Sequence, residues 1–343
     1  MKYNKKILKR GSQYQGKIVL QLGGVIRMKI AYLFPGQGTQ TVGMGKDIFE
    51  KYEEAKNVYK KIDEALGENI EKLTYEETQE ELNQTKNTQI AIYAMSMAIM
   101  EILKQNGINA DVAAGLSLGE YSALTCAGAI SLEDGARIVR KRGTLMQELA
   151  PKGEWSMAAI IGLEDEKVEK ACKSVKNGFV RAVNYNCPGQ VVVSGDKDAV
   201  IESMEIAKEL GARKTIELKT SGPFHTEKLK NASIELRKEL EKITFNKCNI
   251  PVIKNFDGSA YSENDNMVEV LANHVINPVK FRKSIEIMLE MGADTFVEVG
   301  PGKTLSGFVR KVAKEKQKEV VVLNVENVET MENVLQIIQN KEC

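Results

Sequence analysis

The residues best suited to chemistry are a serine and a histidine. Ser117 stands in Gly115-Leu116-Ser117-Leu118-Gly119, a G-x-S-x-G pattern. Small neighbours let a chain turn tightly after a strand, expose the serine oxygen and aim the free N–H groups of the next helix at developing negative charge. The same five residues also suit an ordinary glycine-rich turn with a capping serine. A serine hydroxyl is a poor nucleophile until a base removes its proton, and the chain has only two histidines, His225 and His274. His225, in Ser221-Gly222-Pro223-Phe224-His225, follows a strand-like segment and starts a helix. That position fits a base beside a cleft or a capping residue at the surface. His274, in Leu271-Ala272-Asn273-His274-Val275, sits near a helix end, where it orients a partner or satisfies terminal carbonyls. No Asp or Glu stands out as a third member, so backbone carbonyls or a side-chain acceptor would fix the tautomer of the base.

Two further positions belong with these. Phe34-Pro35-Gly36-Gln37-Gly38 lacks the Gly-Lys-Ser/Thr of a phosphate-binding P-loop and the spacing of G-x-G-x-x-G. Its better use is to bring the Gln37 N–H near Ser117, where it and the Leu118 N–H would form an oxyanion hole; a plain strand-to-helix turn is the alternative. Arg142 shares a helical stripe with Gly135, Ile138, Leu145 and Leu149. An arginine on a core-facing stripe needs an anion or must snorkel out.

The elements that must position these residues alternate between strand and helix. Met28 to Phe34 reads as a buried strand, residues 46 to 66 and 88 to 106 as helices, and Asp111 to Leu116 as a strand feeding the helix-like EYSALTCAGA. Ser131-Leu132-Glu133-Asp134 is a capping box opening a helix to about Ala150. From 155 to 220 the order is strand, helix, strand, strand, helix, strand, the ferredoxin-like signature, which reads as an insert. Then come a helix from Thr226 to Ile243, a strand from Pro251 to Asn255, helices near 264 to 274 and 281 to 291, strand TFVEV, a helix, strand EVVVLNV and a final helix from about 328. This predicts an α/β fold with a mainly parallel sheet in a discontinuous large subdomain, residues 28–152 and 221–340, and an inserted α+β small subdomain, residues 153–220.

Composition sets outer limits. The 343 residues are 43% hydrophobic and 28% charged with a formal charge of +1, a balance that does not suggest a nucleic-acid binder, a disordered chain or a fibre. Five unpatterned cysteines fit reduced thiols in the cytoplasm, and two histidines almost exclude a histidine-rich metal site. The longest apolar stretch, Ile90 to Met100, is too short to span a bilayer. Residues 1–27 carry seven basic residues and no acid, leaving −6 on the remainder. They read as a dispensable basic extension or a misassigned start, with sparse Ser and Arg against a transit peptide.

Beyond single residues, the chain resembles the malonyl-CoA:acyl carrier protein transacylase family of bacterial fatty-acid synthesis from about Met28 to about Asn340. The resemblance runs through LFPGQGTQTVGMGKD (33–47), NTQIAIYAMSMA (87–98), AGLSLGEYSAL (114–124), VRKRGTLMQE (139–148), VNYNCPGQVVVSG (183–195), SGPFH (221–225), NPVKF (277–281) and VEVGPGKTLSG (297–307). It implies an α/β-hydrolase-like large subdomain with the active site facing a ferredoxin-like small one. It also implies acylation at Ser117, His225 as base then acid, oxyanion N–H groups from Gln37 and Leu118, Arg142 on the malonyl carboxylate and Gln89 lining the pocket. Phe224 resembles the malonyl-selective form, since a bulky ring leaves little space for an α-methyl branch. The implied substrates are malonyl-CoA and holo-acyl carrier protein, an acidic and transient partner, with no tightly bound cofactor and no metal, in a cytoplasmic monomer.

Two positions depart from the family pattern. Leu116 replaces a frequent His ahead of the serine, and His274 stands where the family usually has a Gln that helps orient the catalytic histidine; the His274 ring is expected to support His225 by a hydrogen bond. Competing readings are an acyltransferase for another acyl unit, an esterase or thioesterase, and a carrier-binding scaffold. Arg142 argues against the esterase, and the joint presence of Ser117, His225 and Arg142 against the scaffold.

Overall fold

A computed structural model describes residues 28–218 and 222–342. The basic segment 1–27, Ser221 of the SGPFH motif and Cys343 lie outside the described residues. The chain opens on strand β1 (Ile30–Phe34), whose five residues are all buried, as expected of an apolar run inside a parallel sheet. Helices α1 (Lys46–Lys51), α2 (Glu53–Leu66), α3 (Ile70–Tyr75), α4 (Gln79–Asn83) and α5 (Thr85–Gln105) follow. The expected single helix over 46 to 66 is broken at Tyr52, which is extended at φ −107° and ψ 123°. Helices α3 and α4 were not anticipated; each is short and capped by its own side chain, Asn69 on the Lys72 N–H and Thr78 on the Glu81 N–H.

Strand β2 (Val112–Gly115) leads into α6 (Gly119–Cys126), and α7 (Leu132–Glu148) starts at Ser131, whose Oγ accepts the Asp134 N–H at 3.0 Å. Strand β3 (Trp155–Ile161), α8 (Asp165–Ser174), β4 (Val180–Cys187), β5 (Gln190–Asp196), α9 (Lys197–Glu209) and β6 (Lys214–Leu218) form a separate antiparallel sheet in the order β4-β5-β3-β6. This is the ferredoxin-like arrangement, with the first and third strands of the unit at its centre. Next come a single 3-10 turn at Glu227–Leu229, then α10 (Lys230–Leu240), β7 (Val252–Ile253), α11 (Met267–His274), α12 (Phe281–Glu290), β8 (Thr295–Val299), α13 (Thr304–Glu315), β9 (Val321–Val325) and α14 (Val328–Glu342). The strand expected over 251 to 255 shrinks to two residues because Lys254 already begins a turn, its N–H donating to Ser259 O at 2.8 Å and its carbonyl accepting the Gly258 N–H at 3.0 Å.

The large sheet is parallel throughout, in the order β7-β2-β1-β8-β9. Alternate residues of β1 feed two cores. Ile30, Tyr32 and Phe34 pack with residues of α2, α5, α6 and α7, while Ala31 and Leu33 join a second cluster with α12 and α13. Helix α5 is buried along most of its length, as its apolar circumference requires. No described helix is long and apolar enough to cross a membrane. The connection between α11 and α12 joins the edge of the small sheet at Val279, where the Tyr185 N–H donates to Val279 O at 2.8 Å and the Val279 N–H donates to Val183 O at 2.7 Å.

Candidate active site

Ser117 sits at the carboxyl end of β2 on a corner that only small residues permit. Its φ of 52° is left-handed, a strained conformation for a side-chain-bearing residue. A Cβ on Gly115 would lie 1.9 Å from the Gly119 carbonyl carbon, and one on Gly119 would lie 2.1 Å from Phe34 O. The pattern's two glycines are therefore required by the closeness of the β1 end, the corner and α6. Leu118 is the N-cap of α6, so its N–H precedes the helical ladder. The Pro35–Gly38 turn presses against the same corner, with a Gly36 Cβ position only 2.6 Å from Leu116 O. The Gln37 side chain donates to Thr85 Oγ1 at 3.3 Å.

His225 comes from 108 residues further along the chain and faces the serine: its Nε2 lies 2.7 Å from Ser117 Oγ. Its φ of 60° is also left-handed, so both partners are held in unusual backbone conformations. Its Nδ1 lies 3.1 Å from the carbonyl of His274 and 3.1 Å from that of Asn277. Carbonyls only accept, so the proton sits on Nδ1 and the Nε2 lone pair faces the hydroxyl. Burial, and then the Arg142 guanidinium, push His225 down to about 4 against the upward pull of the two carbonyls. The ring is accordingly neutral and ready to take a proton across the neutral range.

The inward stripe on α7 places Arg142 under the serine, 1% exposed. One Nη donates to Ser117 Oγ at 3.0 Å and the other to Gln89 Oε1 at 2.6 Å, while the Gln89 amide reaches Met146 Sδ at 3.6 Å. No carboxylate among the described residues pairs with this guanidinium, and its Nε is buried without a partner among them. It stacks over the Tyr121 ring at 5.4 Å. Phe224, beside the histidine, is buried in the large core.

The expected hydrogen bond from the His274 ring is not formed. The imidazole is buried, tilted against His225 at 5.2 Å between centroids, and neither ring nitrogen has a hydrogen-bond partner among the described residues. Support for the base comes from the His274 backbone carbonyl, which any residue supplies. Burial pushes the His274 ring well below the ordinary histidine range, and the neighbouring His225 and Arg142 add to the effect.

Three residues that sequence reasoning missed complete the centre. Asn255 accepts the Ser117 N–H at 2.7 Å and donates to Gly115 O at 2.6 Å, bracing both sides of the corner. Glu120 is buried, accepting the Asn255 N–H at 3.0 Å and the Tyr261 O–H at 2.6 Å. The only available signal was the GxSxGE context of Glu120; Asn255 and Tyr261 carry none. Chemically, the arrangement offers a polarised hydroxyl, a neutral base and a buried cation around one oxygen.

The sequence matches the acyl transferase domain family over residues 31–342. It is 41% identical to the malonyl CoA-acyl carrier protein transacylase of Bacillus subtilis over 315 residues, covering 91% of this chain and 98% of that protein. The crystal structure of malonyl CoA-acyl carrier protein transacylase from Clostridium perfringens superposes with a TM-score of 0.87 at 45% identity, covering 92% of this chain and 98% of that one. A malonyl-transacylase solved in complex with its type II PKS acyl-carrier protein superposes at 0.85 with 34% identity, covering 90% of this chain and 99% of that one. The chain belongs to the acyl transferase family and, with these relatives, to its malonyl CoA-acyl carrier protein transacylases.

Proposed function

We propose that this protein moves a malonyl group from malonyl-CoA to the phosphopantetheine thiol of acyl carrier protein through a malonyl-serine intermediate, supplying fatty-acid elongation. The observation that carries this reading is the convergence on Ser117 Oγ of His225 Nε2 at 2.7 Å and, at 3.0 Å, the buried Arg142, which makes no direct ion pair among the described residues. A base alone fits any acyl transfer or ester hydrolysis. A buried guanidinium with spare donors beside the nucleophile fits an acyl group that ends in a carboxylate.

In the proposed cycle His225 takes the Ser117 proton as Oγ attacks the thioester carbonyl. The Gln37 and Leu118 N–H groups receive the oxyanion, and His225 returns the proton to the departing coenzyme A sulfur. The carrier thiol then enters, gives its proton to His225, and reverses the chemistry. Gln89 holds Arg142 toward the malonyl carboxylate, and Phe224 packs the wall beside the base. We read residues 28–152 and 221–340 as the unit that supplies the nucleophile and base, and 153–220 as the unit that covers them. The reading makes the enzyme a cytoplasmic monomer that needs no metal or tightly bound cofactor and meets acyl carrier protein transiently.

Intact-protein mass after mixing with malonyl-CoA tests the proposal. A malonyl adduct at Ser117 that disappears on adding holo-acyl carrier protein is the expected result. A protein that stays unmodified, or that hydrolyses the thioester without loading the carrier, overturns it.

A further inference from the structure

Glu120 lies on the first turn of α6, three residues beyond Ser117, and is 1% exposed. Through Asn255 it is one hydrogen bond removed from both the Ser117 N–H and the Gly115 carbonyl. Its Oε2 also lies 3.6 Å from Nδ1 of His274, the residue whose carbonyl holds His225. One carboxyl group therefore bonds the brace of the nucleophile and lies beside the ring of the residue that holds the base. Filling this space does not require an acid, because burying a carboxylate is costly and an amide or apolar side chain of similar size packs without that cost.

We propose that Glu120 is a positioning residue that acts by charge: as a carboxylate it braces Asn255 and stabilises the imidazolium that forms when His225 takes the Ser117 proton, and in its protonated form it does not. Glu120 transfers nothing itself. The proton leaves Ser117, rests on His225 and goes to the departing sulfur. The inference rests on the reading of Ser117 and His225 as nucleophile and base.

The groups facing this carboxyl set when it is charged. Burial pushes it up to about 7, while the Tyr261 O–H, the Asn255 N–H, Arg142 from α7 and Lys254 from the end of β7 pull it down. His274 from α11 and His225 stay neutral, since both are pushed below the ordinary histidine range. Tyr121 on α6 and Cys248, which faces Tyr261, are pushed up by burial and also stay neutral. Glu120 is thus the member of the group whose charge changes near neutral pH.

Single-turnover acylation of Ser117 by malonyl-CoA between pH 5.5 and 8.5 separates a charge role from a structural one. Wild type is expected to gain ~3- to 10-fold across a step centred near pH 7, the size of a modest change in charge stabilisation. Glu120→Gln keeps the shape and one acceptor, and should lose the step and stay at the acid-side rate. Tyr261→Phe removes a donor that favours the carboxylate and should move the midpoint to higher pH; it decides the matter if the Gln variant does not fold. A Glu120→Gln profile that keeps the wild-type step, or a Tyr261→Phe midpoint that does not rise, overturns the inference while Ser117 still acylates. A wild type that forms no adduct overturns both this inference and the function on which it rests.

Discussion

His225 Nδ1 stands 3.1 Å from the backbone carbonyl of His274, while the His274 ring makes no hydrogen bond among the described residues. The residue at this position therefore supports the base through an atom common to all residues, not through its side chain. His274→Gln should keep acylation of Ser117 within about tenfold of wild type. His225→Gln should lose on the order of a thousandfold or more, the scale of a missing general base. Single-turnover acylation of both variants checks the contrast, and equal losses in folded proteins would refute it.

Ser117→Ala should abolish the malonyl adduct and leave the fold intact, because Ala fits the corner as Ser does. Ser117→Gly should also lose the adduct but raise the thermal midpoint, since glycine relieves a left-handed φ of 52° that costs roughly 1 kcal/mol in other residues. Mass spectrometry and thermal melts read the two effects separately.

Arg142→Ala should reduce the specificity constant for malonyl-CoA ~10- to 100-fold more than that for acetyl-CoA. A charge-assisted hydrogen bond to the acyl carboxylate contributes about 1.5 to 3 kcal/mol, and acetyl has no carboxylate to lose. Parallel losses for both substrates would remove Arg142 from carboxylate recognition.

Asn255→Ala should cost both stability and rate. It deprives the half-buried Ser117 N–H of its acceptor and the buried Gly115 O of its donor, and an unmade buried bond costs about 1 to 3 kcal/mol. A lower thermal midpoint with a fall in the acylation rate, but little change in substrate binding, is the expected pattern. Unchanged acylation would show that the corner holds its geometry alone.

Stability should respond to pH through opposing groups at the site, with His225 and His274 pulling one way and Glu120 the other. His225 is near 6.5 when unfolded and about 4 when folded. Between these values the unfolded chain holds more protons, so stability present above pH 6.5 is lost as pH falls toward 4. Glu120 is near 4.5 unfolded and about 7 folded, so its contribution is greatest below 4.5 and is lost as pH rises through 7. Thermal midpoints between pH 4 and 7.5 should fall more steeply on the acid side for Glu120→Gln than for wild type, and less steeply for His225→Gln. The opposite order of slopes would contradict the assignment.

What sequence conveyed follows from how local each signal is. Strand β8 was legible to the residue as TFVEV, and the Ser131 cap of α7 from four residues, because apolar runs and capping are local. The inward face of Arg142 followed from helical spacing alone. The break at Tyr52 and helices α3 and α4 were not legible, since short polar helices held by tertiary packing show little periodicity. Asn255 was hidden for a different reason: it meets Ser117 across 138 residues of chain, and a buried amide has no spacing that announces it. Glu120 looked like an ordinary acid in a first helical turn, a position that favours acids at any surface.

The short segment from His274 to Val279 has obligations at both ends. At one end the carbonyls of His274 and Asn277 hold the imidazole of His225; at the other, Val279 is laced between Val183 and Tyr185 on the edge strand β4 of the small sheet. For protein engineers this makes the small sheet a poor module to exchange alone. A graft that replaces β4 with a strand of different register pulls on Val279, and the first casualty is the aim of the imidazole held by the Asn277 carbonyl, two residues before that seam. Chimeras of related transferases should therefore inherit the 274–279 strip together with the strand it is sewn to.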